Sequence, residues 1–187
     1  MSKFSDLIPL SSITPFNVGL SSATEETMIS FLGRPKLPLT IQCQPDHASD
    51  SVKKLQVTAK VSSKIRVTGI KPAVASLRAV LSEVGDSEPK LIDVLGTEGM
   101  LCVRLRKPTS GQPSTKVSNH AWGTAVDFNI DGKDPPGNTG QKVPRGIAIL
   151  VPFFNKAGWY SGIAFHDDMH FEVAEETIKA WAKNGDI

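Results

Sequence analysis

The chain has only two cysteines in 187 residues, Cys43 and Cys102. A small scaffold held together by disulfides would need more cysteines than this. Both cysteines lie in apolar surroundings, the stretches IQC and MLC. We therefore expect two buried thiols and no disulfide.

Long apolar runs are also missing. No window approaches the ~20 apolar residues that a transmembrane helix needs. The N-terminal stretch MSKFSDLIPLSSITPF lacks the continuous apolar run of a signal peptide. We therefore expect a chain that is synthesised in the cytoplasm and has no membrane span. It would act there, or outside after release or export by another system.

The sequence has little net charge, only +2 at pH 7. This value is too small to favour a nucleic-acid partner. Residues 51–72 do hold six basic side chains and no acidic one. A site for an anionic polymer is one interpretation, but no aromatic residues interleave there to stack bases. We favour the solvated face of a strand pair and expect a monomer that binds no nucleic acid.

What the sequence does contain is typical of one globular domain. Hydrophobic residues make up 40% and charged residues 21%, which is a normal balance for a folded chain. Residues 1–50 are predicted to be an extension with one short helix, within the same unit as the domain at 51–187. A capping box, Ser22 with Glu25, starts that helix, and Gly33 ends it.

Periodicity predicts a mixture of strands and helices. The predicted strands are 55–70, 100–106, 125–130 and 169–173. The predicted helices run from Pro72 to Gly85, over 89–96, over 145–157 and from Glu175 to Lys183. The interleaving favours an α+β fold. We expect a small antiparallel sheet with helices packed on one face and an open cleft on the other.

Two stretches combine histidine and carboxylate within apolar sequence: SNHAWGTAVDFNID at 118–131 and HDDMHFEV at 166–173. In the first strand the alternation puts Asp127 on the face opposite to the apolar residues, and in the second it does so for His170 and Glu172. If the strands are neighbours, Asp127 and His170 share a wall. His120 precedes the first strand, and Gly123 lets the chain bend between them.

Two imidazoles and one carboxylate with an open fourth position are what a catalytic zinc needs. Such a site also needs a general base for the attacking water. Asp167 and Asp168 both enter the second strand, and local physics does not choose between them. His47 lies in a polar loop and is predicted to be an ordinary histidine. The same interpretation is favoured for His166, with a role as a spare ligand as the alternative.

These residues resemble a known signature, S-x-H-x-x-G-x-A-x-D followed by [ED]-x-x-H. Its fixed positions are occupied here by Ser118, His120, Gly123, Ala125, Asp127, Asp167 and His170. The signature belongs to the zinc D-alanyl-D-alanine carboxypeptidases and dipeptidases of the vancomycin-resistance type. The form D-x-M-H-F-E also resembles the L-alanyl-D-glutamate endopeptidases of phage lysins. The resemblance covers roughly residues 66–182.

The resemblance implies a role for each matched residue. His120, Asp127 and His170 would bind Zn²⁺, and Asp167 rather than Asp168 would be the base. Ser118 would steady the site or the substrate. The dipeptidases of the family have glutamate at the base position, so the aspartate here favours the endopeptidase-like branch.

The resemblance also implies an arginine upstream of the S-x-H motif that polarises the scissile carbonyl or anchors the substrate. Arg104 and Arg106 both qualify, and we choose Arg104 because Arg106 leads into a loop. Glu172 shares a face with His170 and is expected to hydrogen-bond it.

The implied function is zinc-dependent hydrolysis of peptide bonds in bacterial cell-wall stem peptides, at D-alanyl-D-alanine or L-alanyl-D-glutamate. The alternative is a metal-containing binding module without catalysis, because the signalling domain of hedgehog proteins shares this fold. The presence of Asp167 favours the enzyme, since a catalytically inactive copy should have lost its base.

Overall fold

The computed structural model describes residues 3–107, 114–135 and 141–187. Within these ranges the chain forms small antiparallel sheets and six α-helices. The α+β fold class predicted from the sequence is confirmed. None of the helices in the described ranges has the length and apolar character to cross a bilayer.

The strands of the described residues are β1 (Leu7–Pro9), β2 (Gln56–Lys60), β3 (Arg66–Ile70), β4 (Leu95–Gly99), β5 (Ala125–Ile130), β6 (Lys142–Pro144), β7 (Trp159–Ser161) and β8 (His170–Val173). The helices are α1 (Glu25–Leu32), α2 (Asp50–Leu55), α3 (Lys71–Ser87), α4 (Pro89–Val94), α5 (Arg145–Lys156) and α6 (Glu175–Asn184). Two short 3₁₀ helices, Asn119–Trp122 and Gly162–Phe165, flank the central sheet.

The central sheet has the strand order β4-β5-β8-β7, with antiparallel neighbours. One face of it is the core, as the alternation of β5 predicts. Phe128 of β5 and Phe171 of β8 both contact Phe154 of α5, with ring centroids 5.6 and 4.3 Å apart. Aromatic pairs of this kind add about 0.5–1.5 kcal/mol beyond the burial of their surface. Helix α5 therefore covers the apolar face and leaves the opposite face for polar side chains.

The described part of the N-terminal segment, residues 3–50, contacts this core directly. Strand β1 pairs with β6, and Ala23, Met28 and Leu32 belong to the same buried apolar cluster as the central sheet. Asn17 donates its side-chain amide to the carbonyl of Ser161, 2.9 Å away, and accepts from the backbone of the same residue at 2.9 Å. The N-terminal segment is thus hydrogen-bonded to the strand at the edge of the central sheet.

Helix α1 begins two residues later than the predicted capping box. Thr24 is the N-cap, and its hydroxyl accepts from the backbone N–H of Thr27 at 3.2 Å. Ser22 does not cap the helix, because its hydroxyl donates instead to Glu172, 2.5 Å away. The prediction of a Ser22–Glu25 box was wrong, since a buried tertiary acceptor competes for the serine hydroxyl.

The segment 100–106 is extended but is not a regular strand. Its backbone is hydrogen-bonded to the segment before β5 at three points, from Cys102 to His120, from Ser118 to Arg104 and from Arg106 to Lys116. The regular strand of this region is β4, which directly follows helix α4. The predicted strand was therefore placed about one strand length too late in the chain.

The cysteine prediction was also wrong. The structure pairs Cys43 with Cys102 in a disulfide, with Cα atoms 5.1 Å apart. Cys43 is exposed and Cys102 is half-buried. The loop around Cys43 lies along the 100–105 segment, where Gln44 donates its N–H to Val103 and Leu105 donates to Thr40. This pairing of distant segments brings the two sulfur atoms together, and local apolar flanks cannot reveal it.

Candidate metal centre

Three side chains converge on the polar face of the central sheet. His120 Nε2 lies 3.1 Å from Asp127 Oδ1 and 3.3 Å from His170 Nδ1, and His170 Nδ1 lies 3.0 Å from the same carboxylate oxygen. Asp127 and His170 face each other because they are paired residues in the antiparallel register of β5 and β8. The sequence prediction that these residues share a wall is therefore correct in its geometry.

His120 reaches the cluster from the 3₁₀ helix that precedes β5. The helix ends at Gly123, whose φ of 63° is left-handed. A Cβ on Gly123 would lie 2.8 Å from the Cα of Gly69, so no larger side chain fits between this turn and β3. Glycine is needed here both for the backbone angle and for the close approach of the two chains.

Each histidine is oriented by a hydrogen bond from the ring nitrogen that points away from Asp127. The Nδ1 of His120 lies 2.8 Å from the carbonyl oxygen of Met100, and the Nε2 of His170 lies 2.9 Å from Glu172 Oε2. A carbonyl and a carboxylate can only accept, so these ring nitrogens carry protons. The other nitrogens, His120 Nε2 and His170 Nδ1, are left to face Asp127. Metal-binding histidines are oriented in this way in proteins.

Glu172 is itself fixed by two further donors. The side-chain amide of Asn119 donates to Oε2 at 2.7 Å, and Ser22 donates to Oε1. Glu172 is only 3% exposed, and these hydrogen bonds together with His170 overcome its burial and lower its pKa. Ser22 and Asn119 were missed from the sequence. Asn119 stood next to His120 in the motif, whereas nothing local marked Ser22.

The cluster fits a metal ion. Among the described residues, His120, Asp127 and His170 are the group of histidines and carboxylates whose donor atoms come together closely enough. Bonds of about 2.0–2.1 Å to a tetrahedral ion would space its ligands about 3.3 Å apart. The observed donor separations of 3.0–3.3 Å are close to that spacing. Two nitrogen donors and one oxygen donor suit a borderline divalent ion.

Without a metal, the same cluster must hold a proton between its donor atoms. Burial alone lowers the pKa of His170, but its hydrogen bonds with Asp127 and Glu172 outweigh burial and raise that pKa to about 10. Burial alone raises the pKa of Asp127, and the two histidines reverse this and hold it well below its ordinary value. A metal that binds here must displace the proton of His170.

This proton makes the stability of the metal-free protein depend on pH. The folded pKa of His170, about 10, lies above its ordinary 6.5. Its stabilising contribution is therefore complete below about pH 6.5 and is lost as the pH rises toward about 10. We expect the chelator-treated protein to lose roughly a few kcal/mol of unfolding free energy across that window. Urea unfolding at the two ends of the window measures this.

The matched variant for that experiment is His170→Gln, which has no proton to lose over this range. Its unfolding free energy should change much less between the same two pH values. An identical pH dependence in the wild-type chain and in His170→Gln would show that other groups cause it.

A second prediction concerns Glu172, because it orients His170. We expect Glu172→Gln to weaken the affinity for a divalent metal by about 10–100-fold, as is typical when a hydrogen-bonding partner of a metal ligand is lost. Competition with a chromophoric chelator measures the affinity. Glu83→Gln is the control, since Glu83 pairs with Lys156 at the surface. Equal affinities in the two variants would show that Glu172 does not support the ligand.

The two aspartates before β8 have different surroundings. Asp167 is exposed, whereas Asp168 is 3% exposed. Desolvation of the Asp167 carboxyl raises its pKa, with His170 opposing and Asp127 adding to the rise. The charges that act on Asp167 thus include all three members of the metal cluster, His120, Asp127 and His170. Asp167 is thus an exposed residue with a partly desolvated carboxyl, and it lies next to the cluster at the position that the motif indicates.

The arginine pair lies on the segment that supports His120. Arg104 donates from its guanidinium to the Leu105 carbonyl at 3.2 Å, and Arg106 donates to Val117 at 3.3 Å. Lys107 is a cation whose charge acts on Asp167, and sequence reasoning did not single it out. The predicted role of Arg104 stays a prediction.

Three further residues were named from the sequence: Ser118, His47 and His166. None of them is among the three converging side chains. Ser118 is buried at the start of the 3₁₀ helix and its N–H donates to the Arg104 carbonyl. His47 faces the carbonyl of Lys36 at 2.9 Å. His166 is exposed and follows the second 3₁₀ helix in a left-handed conformation. Neither histidine belongs to the cluster of possible metal ligands.

Comparison with known proteins supports a peptidase. The sequence profile of a family described as D-alanyl-D-alanine carboxypeptidase matches residues 112–173. This match covers about a third of the chain, less than the range over which the motifs and their surroundings resemble the family. It includes the whole cluster and Asp167. No curated protein and no solved structure matches the chain.

Proposed function

We propose that this protein is a zinc-dependent peptidase that hydrolyses peptide bonds in bacterial cell-wall stem peptides. The observation that carries the proposal is the convergence of His120, Asp127 and His170 with Asp167 beside them, within the matched region. The bonds that we propose are D-alanyl-D-alanine or L-alanyl-D-glutamate. The family description supports the first of these.

Zinc is the proposed ion because it suits two nitrogen donors and one oxygen donor that leave a fourth coordination position open. His120 and His170 would contribute one nitrogen each, and Asp127 one oxygen. Three protein ligands leave a position for a fourth, as in catalytic zinc sites. When bound, the ion would supply Lewis acidity, which lowers the pKa of water at the site and polarises a carbonyl oxygen.

Asp167 would move the proton. Hydrolysis adds water across the amide bond: the oxygen joins the carbonyl carbon, and the nitrogen leaves as an amine. Asp167 would accept a proton from the attacking water and deliver it to the leaving nitrogen, so that it returns to its starting state. A pKa raised above the ordinary value brings this carboxylate closer to the range in which both transfers are efficient.

The test is a digestion of purified cell-wall peptides by the zinc-loaded protein, with and without chelator, followed by mass analysis of the fragments. We expect cleavage that chelator abolishes and that added zinc restores. The masses identify the bond and distinguish trimming of an end from internal cleavage. Zinc binding without cleavage of any stem peptide would favour the alternative, a binding module.

A third prediction concerns Arg104, which we propose stabilises the developing negative charge or anchors the substrate. Arginine suits either role because its charge is permanent and its planar fork can hold two oxygens. We expect Arg104→Ala to lower kcat/KM by about 10²-fold, the scale for losing one oxyanion donor, with unchanged zinc content. Arg106→Ala should change it only a few-fold. Steady-state kinetics on one stem peptide measures both.

If both arginine variants lower kcat/KM by the same small factor, neither arginine contacts the substrate. The next variant would then be Lys107→Ala, because the charge of Lys107 acts on Asp167.

A further inference from the structure

An aromatic side chain lies beside the cluster and is not part of the core. Phe165 is 44% exposed. Its ring centroid lies 5.6 Å from that of His170, one of the three converging residues. The same ring is stacked on Tyr160, with centroids 6.2 Å apart and planes inclined by 15°. A large apolar surface is thus held at the edge of the proposed zinc site.

The position of Phe165 is tied to the cluster by a tight loop. Asp167 donates its N–H to the carbonyl of Gly162 at 3.0 Å, and His170 donates to the carbonyl of Asp167 at 3.2 Å. A Cβ on Gly162 would lie 2.8 Å from the His170 Cβ and 3.0 Å from Phe165 Cε2. Glycine therefore lets the aromatic ring pack closely against the backbone that carries the base and the metal ligand.

Tyr160 places the aromatic pair on the polar face of the central sheet. In the register of β7 and β8, Tyr160 is opposite Glu172. Paired residues of neighbouring strands have side chains on the same face, so Tyr160 shares the face of Glu172, His170 and Asp127. The stacked pair of Tyr160 and Phe165 therefore stands beside the cluster, and we call this pair the aromatic wall.

We propose that the aromatic wall determines specificity: Phe165, backed by Tyr160, contacts the methyl side chain of an alanine that flanks the scissile bond. This inference rests on the proposed function and names the side chain that the site selects. Phe165 offers apolar surface without a polar atom, so it favours an aliphatic group. The neighbouring carboxylate of Asp167 would repel an acidic side chain at the same place.

The expected size of the effect follows from the size of the contact. One methyl or methylene group in an apolar pocket gives roughly 10–200-fold discrimination. We expect at least about tenfold tighter binding of a peptide with alanine than of the same peptide with glycine at the contacted position. Phe165→Ala should reduce this preference to about twofold or less, because the methyl then meets water.

The experiment measures binding, so that it does not depend on turnover. Zinc-loaded protein carrying Asp167→Ala is titrated by calorimetry with three N-acetylated tripeptides. One ends in D-alanyl-D-alanine, and the other two have glycine in place of one alanine or the other. The titrations are repeated with Phe165→Ala and with Phe165→Leu, which keeps an apolar side chain. Phe31→Ala is the control, since Phe31 is similarly exposed, at 40%, on α1.

The ratio of affinities is an internal standard, because damage to the fold or to zinc binding affects all three peptides alike. Loss of the alanine preference in Phe165→Ala, with partial recovery in Phe165→Leu and no change in Phe31→Ala, supports the inference. A preference that survives Phe165→Ala, or no preference in the parent protein, overturns it. If none of the three peptides binds, the inference is overturned together with the D-alanyl-D-alanine form of the proposed function, whereas cleavage at L-alanyl-D-glutamate in the digestion would keep the peptidase function.

The same titrations separate the two proposals. If the parent protein binds alanine peptides through Phe165 but the chain with Asp167 intact cleaves neither these peptides nor any stem peptide, the inferred contact of Phe165 with alanine stands and the peptidase function falls. If cleavage occurs but Phe165→Ala keeps the alanine preference, the function stands and the inference falls.

Discussion

Asp167→Ala is expected to keep its zinc and to lose about 10²–10⁴-fold in kcat, the usual effect of removing a general base. The reason is the division of labour within the site. Asp167 is exposed beside the cluster and is not one of the three converging donors. Its removal therefore leaves the metal ligands in place and removes the proton acceptor. Kinetics on a stem peptide, normalised to zinc content, measures the loss.

Asp168→Ala is the matched control, one residue along the chain. Asp168 is buried, so its loss should lower the melting temperature rather than kcat per zinc-loaded molecule. Asp167→Glu is a second control, because it restores a carboxylate with a longer side chain and should recover part of the rate. If Asp168→Ala is inactive and Asp167→Ala is active, the base is Asp168 and our assignment to Asp167 is wrong.

His120→Ala and His170→Ala are expected to abolish stoichiometric zinc binding, and with it all peptidase activity. Each variant removes one of three ligands, and two ligands rarely hold zinc at neutral pH. The wild-type chain should contain close to one zinc per molecule after dialysis against a zinc buffer. Elemental analysis of the purified proteins measures this, and added zinc should not restore the variants.

The controls for the ligand variants are His47→Ala and His166→Ala, the two histidines outside the cluster. Both should retain full zinc content and near wild-type activity. Wild-type protein that takes up no zinc would overturn the assignment of the cluster. Zinc loss in His166→Ala would instead show that His166 takes part in binding.

The sequence could predict those parts of the site that depend on residues close together along the chain. His120, Gly123 and Asp127 lie within one motif, and the alternation of β5 determines which way Asp127 points. The pattern in β8 does the same for His170 and Glu172. These predictions rested on strand periodicity, which is a local property, and the observed register of the two strands agrees with them.

The errors share a different cause. Ser22 donates to Glu172 across 150 positions of the chain, and Cys43 meets Cys102 across 59. The segment 100–106 has strand-like residues, but its partners are the irregular backbone of residues 116–120. In each case a tertiary partner decided the outcome, and local propensity cannot report such a partner.

The sequence by itself determined the polar and apolar faces of the two central strands, the α+β class and the identity of the three candidate metal ligands. These features depend only on the order of neighbouring residues and on the chemistry of histidine and carboxylate side chains, which the sequence gives directly. Only the tertiary structure decided which ring nitrogen of each histidine faces inward, because that depends on the Met100 carbonyl and on Glu172. It also placed Phe165 beside His170, since packing between a loop and a strand is set by the fold as a whole.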